Sequence, residues 1–229
     1  MVQKSIRTCG KRRGAFWHIF YDNYFDDYEY FYLAGDDTHL IVENLRRYLY
    51  TIEQTHDVAT EPLYMGMPYE YHILYNSGGA GYVLNRVALK RLVLEAFPNC
   101  HATTQVSAED RFVAMCFKSI QIEPLHTVDA QGRQRFLGMS PPFIARFGAK
   151  YGFFKPIYED WGRKYGWKTG ADIVSQASVT FHMFRTHEFM KRHHATIYNS
   201  CPVGTVLHTA VQKIRDARGN STVAVVARR

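Results

Sequence analysis

The sequence predicts an α/β domain in which a mixed sheet is flanked by helices. Short apolar runs alternate with longer stretches whose apolar residues recur at helical spacing, and this alternation is typical of sheets covered by helices. Acidic and glycine-rich turns follow the apolar runs, as they do where strand ends carry a site. With 46% hydrophobic and 21% charged residues, a chain of 229 residues can bury the core of one such domain.

Apolar periodicity predicts five helices and five strands. The predicted helices cover residues 14–24, 41–52, 86–97, 107–120 and 186–194. The predicted strands cover residues 31–34, 62–67, 82–84, 122–127 and 179–184. Asp37 or Thr38 is expected to cap the second helix, and Asn85 the third, which is expected to stop before Pro98.

The predicted domain has a tail on each side. Residues 1–13 form a basic segment without an acid, residues 14–195 form the folded domain, and residues 196–229 form a C-terminal extension. The extension is expected to be partly disordered, from about Gly219 onward.

The positive charge narrows the classes of partner. The formal net charge is +7, and a basic surface attracts nucleic acid, acidic membrane or a nucleotide diphosphate. No RNA- or DNA-binding motif accompanies this charge, so we expect no nucleic-acid partner, and solvated termini explain the charge more simply. No apolar run approaches the roughly 18 residues of a membrane span, and no signal peptide is visible.

Cysteine and histidine spacing gives no sign of a zinc site. The four cysteines are Cys9, Cys100, Cys116 and Cys201. They lack CxxC spacing and are too few for a disulfide scaffold, although one bridge is compatible with a secretory protein. The histidines at 187 and 193–194 lack the HExxH spacing of a zinc protease.

Two turns are candidates for ligand binding, and each has a structural alternative. Asp36 and Asp37 are adjacent hard oxygen ligands, suited to Mg²⁺ or Mn²⁺ on a nucleotide diphosphate, although Asp37 can equally be a helix cap. Gly78 and Gly79 let the backbone approach a ligand closely, because no Cβ intervenes. The glycine turn lacks the spacing of a P-loop or of a dinucleotide-binding motif, so a tight strand connection explains it equally well.

Glu109, Asp110 and His182 are also candidates for a functional role, and each has a structural explanation. Ser107 and Asp110 fit a capping box at a helix start, which is the favoured explanation from the residues alone. The positive end of that helix also favours a negative charge, and a positioned carboxylate can act as a general base. His182 on an apolar strand is by itself more typical of a hydrogen-bonded core histidine.

The order of these motifs resembles one family. The matching segments are Ala-Gly-Asp-Asp-Thr (34–38), Val-Glu-Asn-Leu-Arg (42–46), Pro-Leu-Tyr-Met-Gly (62–66), Ser-Gly-Gly-Ala-Gly-Tyr-Val-Leu (77–84), Ala-Leu-Lys-Arg (88–91), Glu-Asp (109–110) and Val-Thr-Phe-His (179–182). Together they resemble core 1 β1,3-galactosyltransferases and the related Fringe-like β1,3-glycosyltransferases, over roughly residues 14–195. The glycine-rich segment is the most specific of them.

The resemblance implies roles for individual residues. Asp37 matches the direct ligand of the metal, Mn²⁺ or Mg²⁺, that the family holds on its UDP-sugar, and His182 matches the family's metal-binding histidine. Asp110 matches the acid that serves as catalytic base. The donor-binding residues implied are Asp36, Asp37, Gly78, Gly79 and Glu109. Cys100 and Cys116 match family cysteines, which implies a bridge between them.

The resemblance also implies a fold and an activity. The fold is a GT-A-like, Rossmann-type mixed sheet, and the activity is an inverting transfer of galactose from UDP-galactose. The acceptor is the 3-hydroxyl of N-acetylgalactosamine on Ser or Thr of a glycoprotein. Members of the family reside in the Golgi lumen on a membrane anchor, and a homodimer is a candidate assembly.

The chain departs from the family pattern in three places. Gly35 replaces the first acid of the metal-binding turn, and Ile173 and Val174 occupy the region of a family cysteine pair. Met1 lies too close to the first motif for a stem and a first strand–helix unit that binds uridine, so the fold is expected to lack that nucleotide-binding unit.

These departures keep a second function open, that of a non-catalytic relative acting as a chaperone or glycan-binding protein. Gly35 and the short N-terminus favour that alternative. Retention of Asp37, Asp110 and His182 favours the enzyme, since a chaperone has no evident need for all three.

Overall fold

The computed structural model describes residues 14–100, 108–147, 161–199 and 223–227, which form eight α-helices and ten strands. The helices are α1 (Ala15–Tyr24), α2 (Val42–Glu53), α3 (Arg86–Arg91), α4 (Phe97–Asn99), α5 (Glu109–Ser119), α6 (Pro141–Phe147), α7 (Trp161–Tyr165) and α8 (His187–Asn199). The strands are β1 (Tyr30–Ala34), β2 (His39–Leu40), β3 (Tyr64–Gly66), β4 (Pro68–Tyr71), β5 (Ile73–Asn76), β6 (Tyr82–Asn85), β7 (Leu125–His126), β8 (Phe136–Leu137), β9 (Thr180–Phe181) and β10 (Val223–Ala227).

All five predicted helices are present, with differences at their ends. The helix predicted to stop before Pro98 continues to Asn99, because a π-helical turn, Leu92–Ala96, places the proline in the first turn of α4. The helix predicted to open at Ser107 begins at Glu109, and Ser107 itself lies outside the described residues.

The predicted cap of α2 is wrong. The N-cap residue is Ile41, and the chain between the acidic turn and α2 forms the short strand β2 instead. The predicted cap of α3 is confirmed, since the Asn85 side chain accepts a hydrogen bond from the Ala88 backbone amide at 2.9 Å.

A mixed five-stranded sheet forms the centre of the described structure, with strand order β10–β1–β6–β3–β7. Strand β6 pairs antiparallel with both β1 and β3, while β10 and β7 pair parallel with their neighbours. Every residue of β1 and β6 is buried, as expected of strands covered on both faces. The mixed α/β architecture with flanking helices predicted from the sequence is therefore present.

Part of the C-terminal extension belongs to this sheet. Residues from about Gly219 are predicted to be disordered, but Val223–Ala227 pairs in register with Tyr30–Ala34 as an edge strand. Its run of valine and alanine suits a strand, and the pairing covers the edge that β1 would otherwise leave open. Helix α8 also crosses the predicted domain boundary at residue 195 and ends at Asn199.

A second, three-stranded sheet has the order β2–β9–β8, and it brings the last predicted strand next to the acidic turn. The strand predicted over residues 179–184 is shorter, Thr180–Phe181, and the chain turns after His182 because Met183 is left-handed with φ of 66°. A left-handed backbone is costly for a residue with a Cβ, by about 1–2 kcal/mol, so the neighbouring contacts hold it there.

Cys100 and Cys116 form a disulfide bond that ties the end of α4 to α5. Tertiary hydrogen bonds and aromatic contacts fix α1 and α5 against the central sheet through Trp17, which is fully buried. Within the described ranges, no helix combines the length and the apolar character needed to cross a bilayer.

Candidate active site

The candidate site is assembled around the glycine turn between β5 and β6. The Gly78 amide donates a hydrogen bond to Asp110 Oδ2 at 2.8 Å, and the Gly79 carbonyl accepts one from Thr38 Oγ1 at 2.5 Å. Two consecutive residues of the turn therefore contact the start of α5 on one side and the acidic turn after β1 on the other. The segments that meet here are 41 and 32 residues away from the glycine turn along the chain.

Asp37 and His182 form the first half of the site. Their side chains approach to 3.1 Å between Asp37 Oδ1 and His182 Nε2. The backbone reinforces this contact, since the amide of Phe184 donates to the Asp37 carbonyl at 3.0 Å. The acidic turn and the end of β9 are thereby held together, as the predicted pairing of Asp37 with His182 requires.

The other ring nitrogen of His182 is also engaged. His182 Nδ1 lies 3.2 Å from the Gly138 carbonyl oxygen, which can only accept a hydrogen bond. Donation from Nδ1 leaves the Nε2 lone pair directed at Asp37 unless the ring carries both protons. A ring nitrogen and a carboxylate oxygen that face each other in this way suit a shared cation, and such carbonyl partners commonly orient metal-binding histidines.

The pair fits a divalent cation with oxygen and nitrogen ligands. Two adjacent ligands of an octahedral ion, each about 2.1 Å from the metal, are about 3 Å apart, close to the 3.1 Å observed. In the described residues no group of three or more His, Cys, Asp or Glu side chains converges on a metal position. Asp37 and His182 would therefore supply two ligands to a metal ion, which would leave further positions for water or a diphosphate.

The position of the His182 ring requires a residue without a Cβ at position 79. A Cβ at residue 79 would lie 2.6 Å from Nδ1 and 2.9 Å from Nε2 of the His182 ring, which is closer than real Cβ atoms come. Gly35 bears on the same pair, because a Cβ there would lie 2.9 Å from Asp37 Oδ1. The glycine at position 35 thus leaves room for Asp37 to face His182.

Asp36 lies on the same turn but is exposed, whereas Asp37 is half-buried. The structure therefore brings Asp37, rather than Asp36, into contact with His182. The donor-binding role of Asp36 stays a prediction.

Asp110 forms the second half of the site, in the first turn of α5. Its Oδ2 accepts the Gly78 amide at 2.8 Å, and its Oδ1 accepts the Arg111 amide, also at 2.8 Å. A carboxylate oxygen can accept two hydrogen bonds, so each oxygen keeps one free lone pair after these contacts. The side chain is half-buried and held in place, which is the arrangement that a general base needs.

Glu109 points into the protein rather than toward the glycine turn. It is buried, and its Oε1 accepts hydrogen bonds from Trp17 Nε1 at 3.0 Å and from the Tyr82 hydroxyl at 2.8 Å. Burial, followed by the charge of Glu109, raises the pKa of Tyr82, so its hydroxyl remains a donor. These contacts are those of a residue that anchors α5, and they lend no support to the predicted contact with the donor.

Three further residues contribute to the site, and no pattern in the sequence predicted this role for them. Thr38, expected as a helix cap, instead holds the Gly79 carbonyl. Thr180 donates to the Ala80 carbonyl at 2.6 Å, so the glycine turn is fixed from both flanking segments. The Gly138 carbonyl orients His182. Every residue has a backbone carbonyl, so the amino-acid type at position 138 could not predict this contact.

A histidine cluster packs next to the site, on the side of α8. His39 in β2 is buried and its Nε2 lies 3.2 Å from His194 Nδ1, while its ring contacts His193 edge to face. Burial lowers the pKa of His39 to about 4, and the neighbouring His193 and His194 act in the same direction. His39 is therefore neutral in the folded protein at neutral pH, and the cluster joins α8 to the three-stranded sheet.

The fold and the site together are those of an α/β protein compatible with a GT-A-like glycosyltransferase architecture. Its mixed sheet is flanked by helices, and the ends of β1 and β9 meet the glycine turn and a carboxylate at a helix start.

Comparison with known proteins supports this class. No protein-family model matches the chain. Over 129 residues the chain is 35% identical to glycoprotein-N-acetylgalactosamine 3-beta-galactosyltransferase 1 of Xenopus laevis, which covers 55% of this chain and 34% of that relative. The resemblance inferred from the motifs is thereby confirmed, and the chain is a relative of core 1 β1,3-galactosyltransferases. The matched region spans about a third of the relative's length.

Proposed function

We propose that this chain is, or is part of, an inverting β1,3-galactosyltransferase that acts on glycoproteins. The donor is UDP-galactose, and the acceptor is the 3-hydroxyl of N-acetylgalactosamine on Ser or Thr. The single observation that carries the proposal is the double contact of the glycine turn. Gly78 holds the carboxylate of Asp110, and Gly79 lies against the pair formed by Asp37 and His182.

Each side of the turn suits one half of the reaction. Asp37 and His182 would hold Mn²⁺ or Mg²⁺, which when bound neutralises charge on the diphosphate of the leaving group. Asp110 takes the proton of the acceptor hydroxyl as that oxygen bonds to the anomeric carbon. The bond from the anomeric carbon to UDP breaks on the opposite face, so the configuration inverts. Because neither glycine carries a Cβ, the Asp110 carboxylate can approach Gly78 and the His182 ring can approach Gly79, which holds the two halves close to the turn.

The name of the Xenopus relative supports the sugar transferred and the class of acceptor. A glycoprotein acceptor in turn supports a location in the lumen of the secretory pathway, where the disulfide between Cys100 and Cys116 is also favoured.

A transfer assay with Asp110→Asn tests the proposed chemistry. Wild-type chain should move labelled galactose from UDP-galactose to a peptide that carries N-acetylgalactosamine, in the presence of Mn²⁺. Asp110→Asn should lower the rate about 100-fold or more, because the base is lost, and should leave UDP binding intact. Asp172→Asn, an exposed acid in the 3-10 turn Gly170–Ile173, is the matched control and should keep the wild-type rate.

Two results would contradict the assignment. If Asp110→Asn keeps the wild-type rate, Asp110 is not the base. If the variant loses UDP binding together with transfer, Asp110 acts mainly by holding the glycine turn. Absence of transfer in a folded wild-type chain that still binds glycan would favour the non-catalytic, glycan-binding alternative, with which the loss of an acid at Gly35 agrees.

A further inference from the structure

A polar cavity of about 430 Å³ lies outside the candidate active site. It is lined by one side of α2, by the segment that leads into β8, and by residues 175–177 before β9. Arg135 and Val179 lie at the start of the parallel strands β8 and β9, where the Arg135 carbonyl accepts the Val179 amide at 2.6 Å. His182 follows the other end of β9, so the cavity and the candidate active site lie at opposite ends of the three-stranded sheet.

The cavity wall carries more positive than negative charge. Its charged side chains are Arg47, Arg133, Arg135 and Asp129. Asp129 already pairs with Arg133 at 2.9 Å and accepts a further hydrogen bond from Ser175 Oγ at 2.8 Å. Burial opposes its ionisation, but these hydrogen bonds hold the pKa of Asp129 below its ordinary value, so the acid remains charged. Arg47 and Arg135 are thus the two arginines of the wall that do not pair with Asp129.

Of these two arginines, Arg135 gives the stronger evidence for a ligand site. Its guanidinium lies over the Tyr48 ring, 5.4 Å from the ring centre, and its Nε is buried without a hydrogen-bond partner among the described residues. Burial lowers the pKa of Arg135, and Arg47 acts in the same direction. In the described part of the chain neither arginine has a carboxylate within ion-pair distance. Arg135 is half-buried, so its charge loses part of its hydration without a carboxylate to compensate, and an external anion is expected to complete the site.

We propose that this cavity binds a small polar ligand of sugar size through an oxyanion, a carboxylate, sulfate or phosphate, held between Arg47 and Arg135. Guanidinium groups present planar donors that match the geometry of an oxyanion. The cavity volume is that of a small-molecule site, and the remaining wall is mainly polar, which suits hydroxyl groups better than an apolar ligand.

Calorimetric titration of the whole chain tests the proposal with three probes, glucuronic acid, inorganic sulfate and neutral glucose. Glucuronic acid should bind and glucose should not. Arg47→Gln and Arg135→Gln should each weaken glucuronic acid binding about tenfold, since each removes a charged hydrogen-bond donor. Arg192→Gln removes an exposed arginine on α8, outside the cavity, and should leave the affinity unchanged.

The variants and probes separate the outcomes. Arg47 is exposed, so Arg47→Gln keeps the test valid if Arg135→Gln fails to fold. Tighter binding of glucuronic acid than of sulfate identifies an acidic sugar as the source of the oxyanion, and equal binding identifies a free anion; both support the site. Asp37→Ala should bind glucuronic acid as the wild type does, because the cavity is independent of the proposed transfer reaction. Absence of binding by both anions at millimolar concentration, or equal weakening by Arg192→Gln, would overturn the proposal.

Discussion

Replacement of Gly79 by alanine probes the contact on which the candidate site depends. The added Cβ would lie 2.6 Å from His182 Nδ1, whereas ordinary contacts begin at 3.4 Å. The Cε1 atom of the ring lies closer still to this Cβ, so the imidazole must retreat by about 1 Å. Its contacts with Gly138 and Asp37, at 3.2 and 3.1 Å, are already long for hydrogen bonds, so a shift of that size breaks at least one of them.

The expected effect follows from that displacement. Disturbing the partners of a metal-binding histidine lowers metal affinity about 10–100-fold, and a shift of about 1 Å in a reacting group slows catalysis about 100-fold. We expect Gly79→Ala to weaken Mn²⁺-dependent UDP binding about 10–100-fold, measured by calorimetry. Backbone strain does not contribute, because Gly79 is not among the glycines with positive φ.

Gly170→Ala is the matched control. Gly170 has φ of 64°, and no atom of the described residues lies within 4 Å of its added Cβ. The substitution should lower the free energy of unfolding by about 1 kcal/mol through backbone strain, yet leave UDP binding unchanged. If folded Gly79→Ala binds UDP and Mn²⁺ as the wild type does, His182 does not hold the metal.

Two further predictions concern stability. Reduction of the Cys100–Cys116 disulfide, which spans 16 residues, should lower the free energy of unfolding by about 3 kcal/mol, and equal urea midpoints with and without reductant would contradict this. His39 has a pKa of about 4 when folded and about 6.5 when unfolded, so below about pH 6.5 the unfolded chain binds a proton that the folded chain does not. The free energy of unfolding should therefore fall as the pH decreases, by about 1–2 kcal/mol at about pH 5. Urea unfolding that is independent of pH between about 6.5 and 4 would show that His39 is not buried as described.

Periodicity predicted the longer helices because their apolar stripes are long, but it did not predict the short helices α6 and α7. Strands of two residues, such as β2 and β8, are too short to produce a pattern, and their existence depends on pairing with β9. The disorder predicted from about Gly219 onward is wrong for a similar reason. Val223–Ala227 is a short apolar run in a polar context, and only the open edge of β1 makes it a strand.

The site was predictable in its residue types but not in its contacts. The resemblance assigned Asp37 and His182 to one metal position. The two residues are 145 positions apart, and the sequence does not show the sheet that brings them together. Glu109 and Asp110 are adjacent in sequence, and helix geometry turns one inward to Trp17 and the other toward the glycine turn. That difference follows from the placement of α5, which the sequence alone does not specify.

We propose that the contacts around the glycine turn form a metal-dependent nucleotide-sugar site. Calorimetric titration of the wild-type chain and of Asp37→Ala with UDP, with and without Mn²⁺, is the decisive experiment. UDP binding should require Mn²⁺ and should be lost in Asp37→Ala. A folded chain that binds no UDP in the presence of Mn²⁺, or an Asp37→Ala variant that binds it as the wild type does, would contradict the claim.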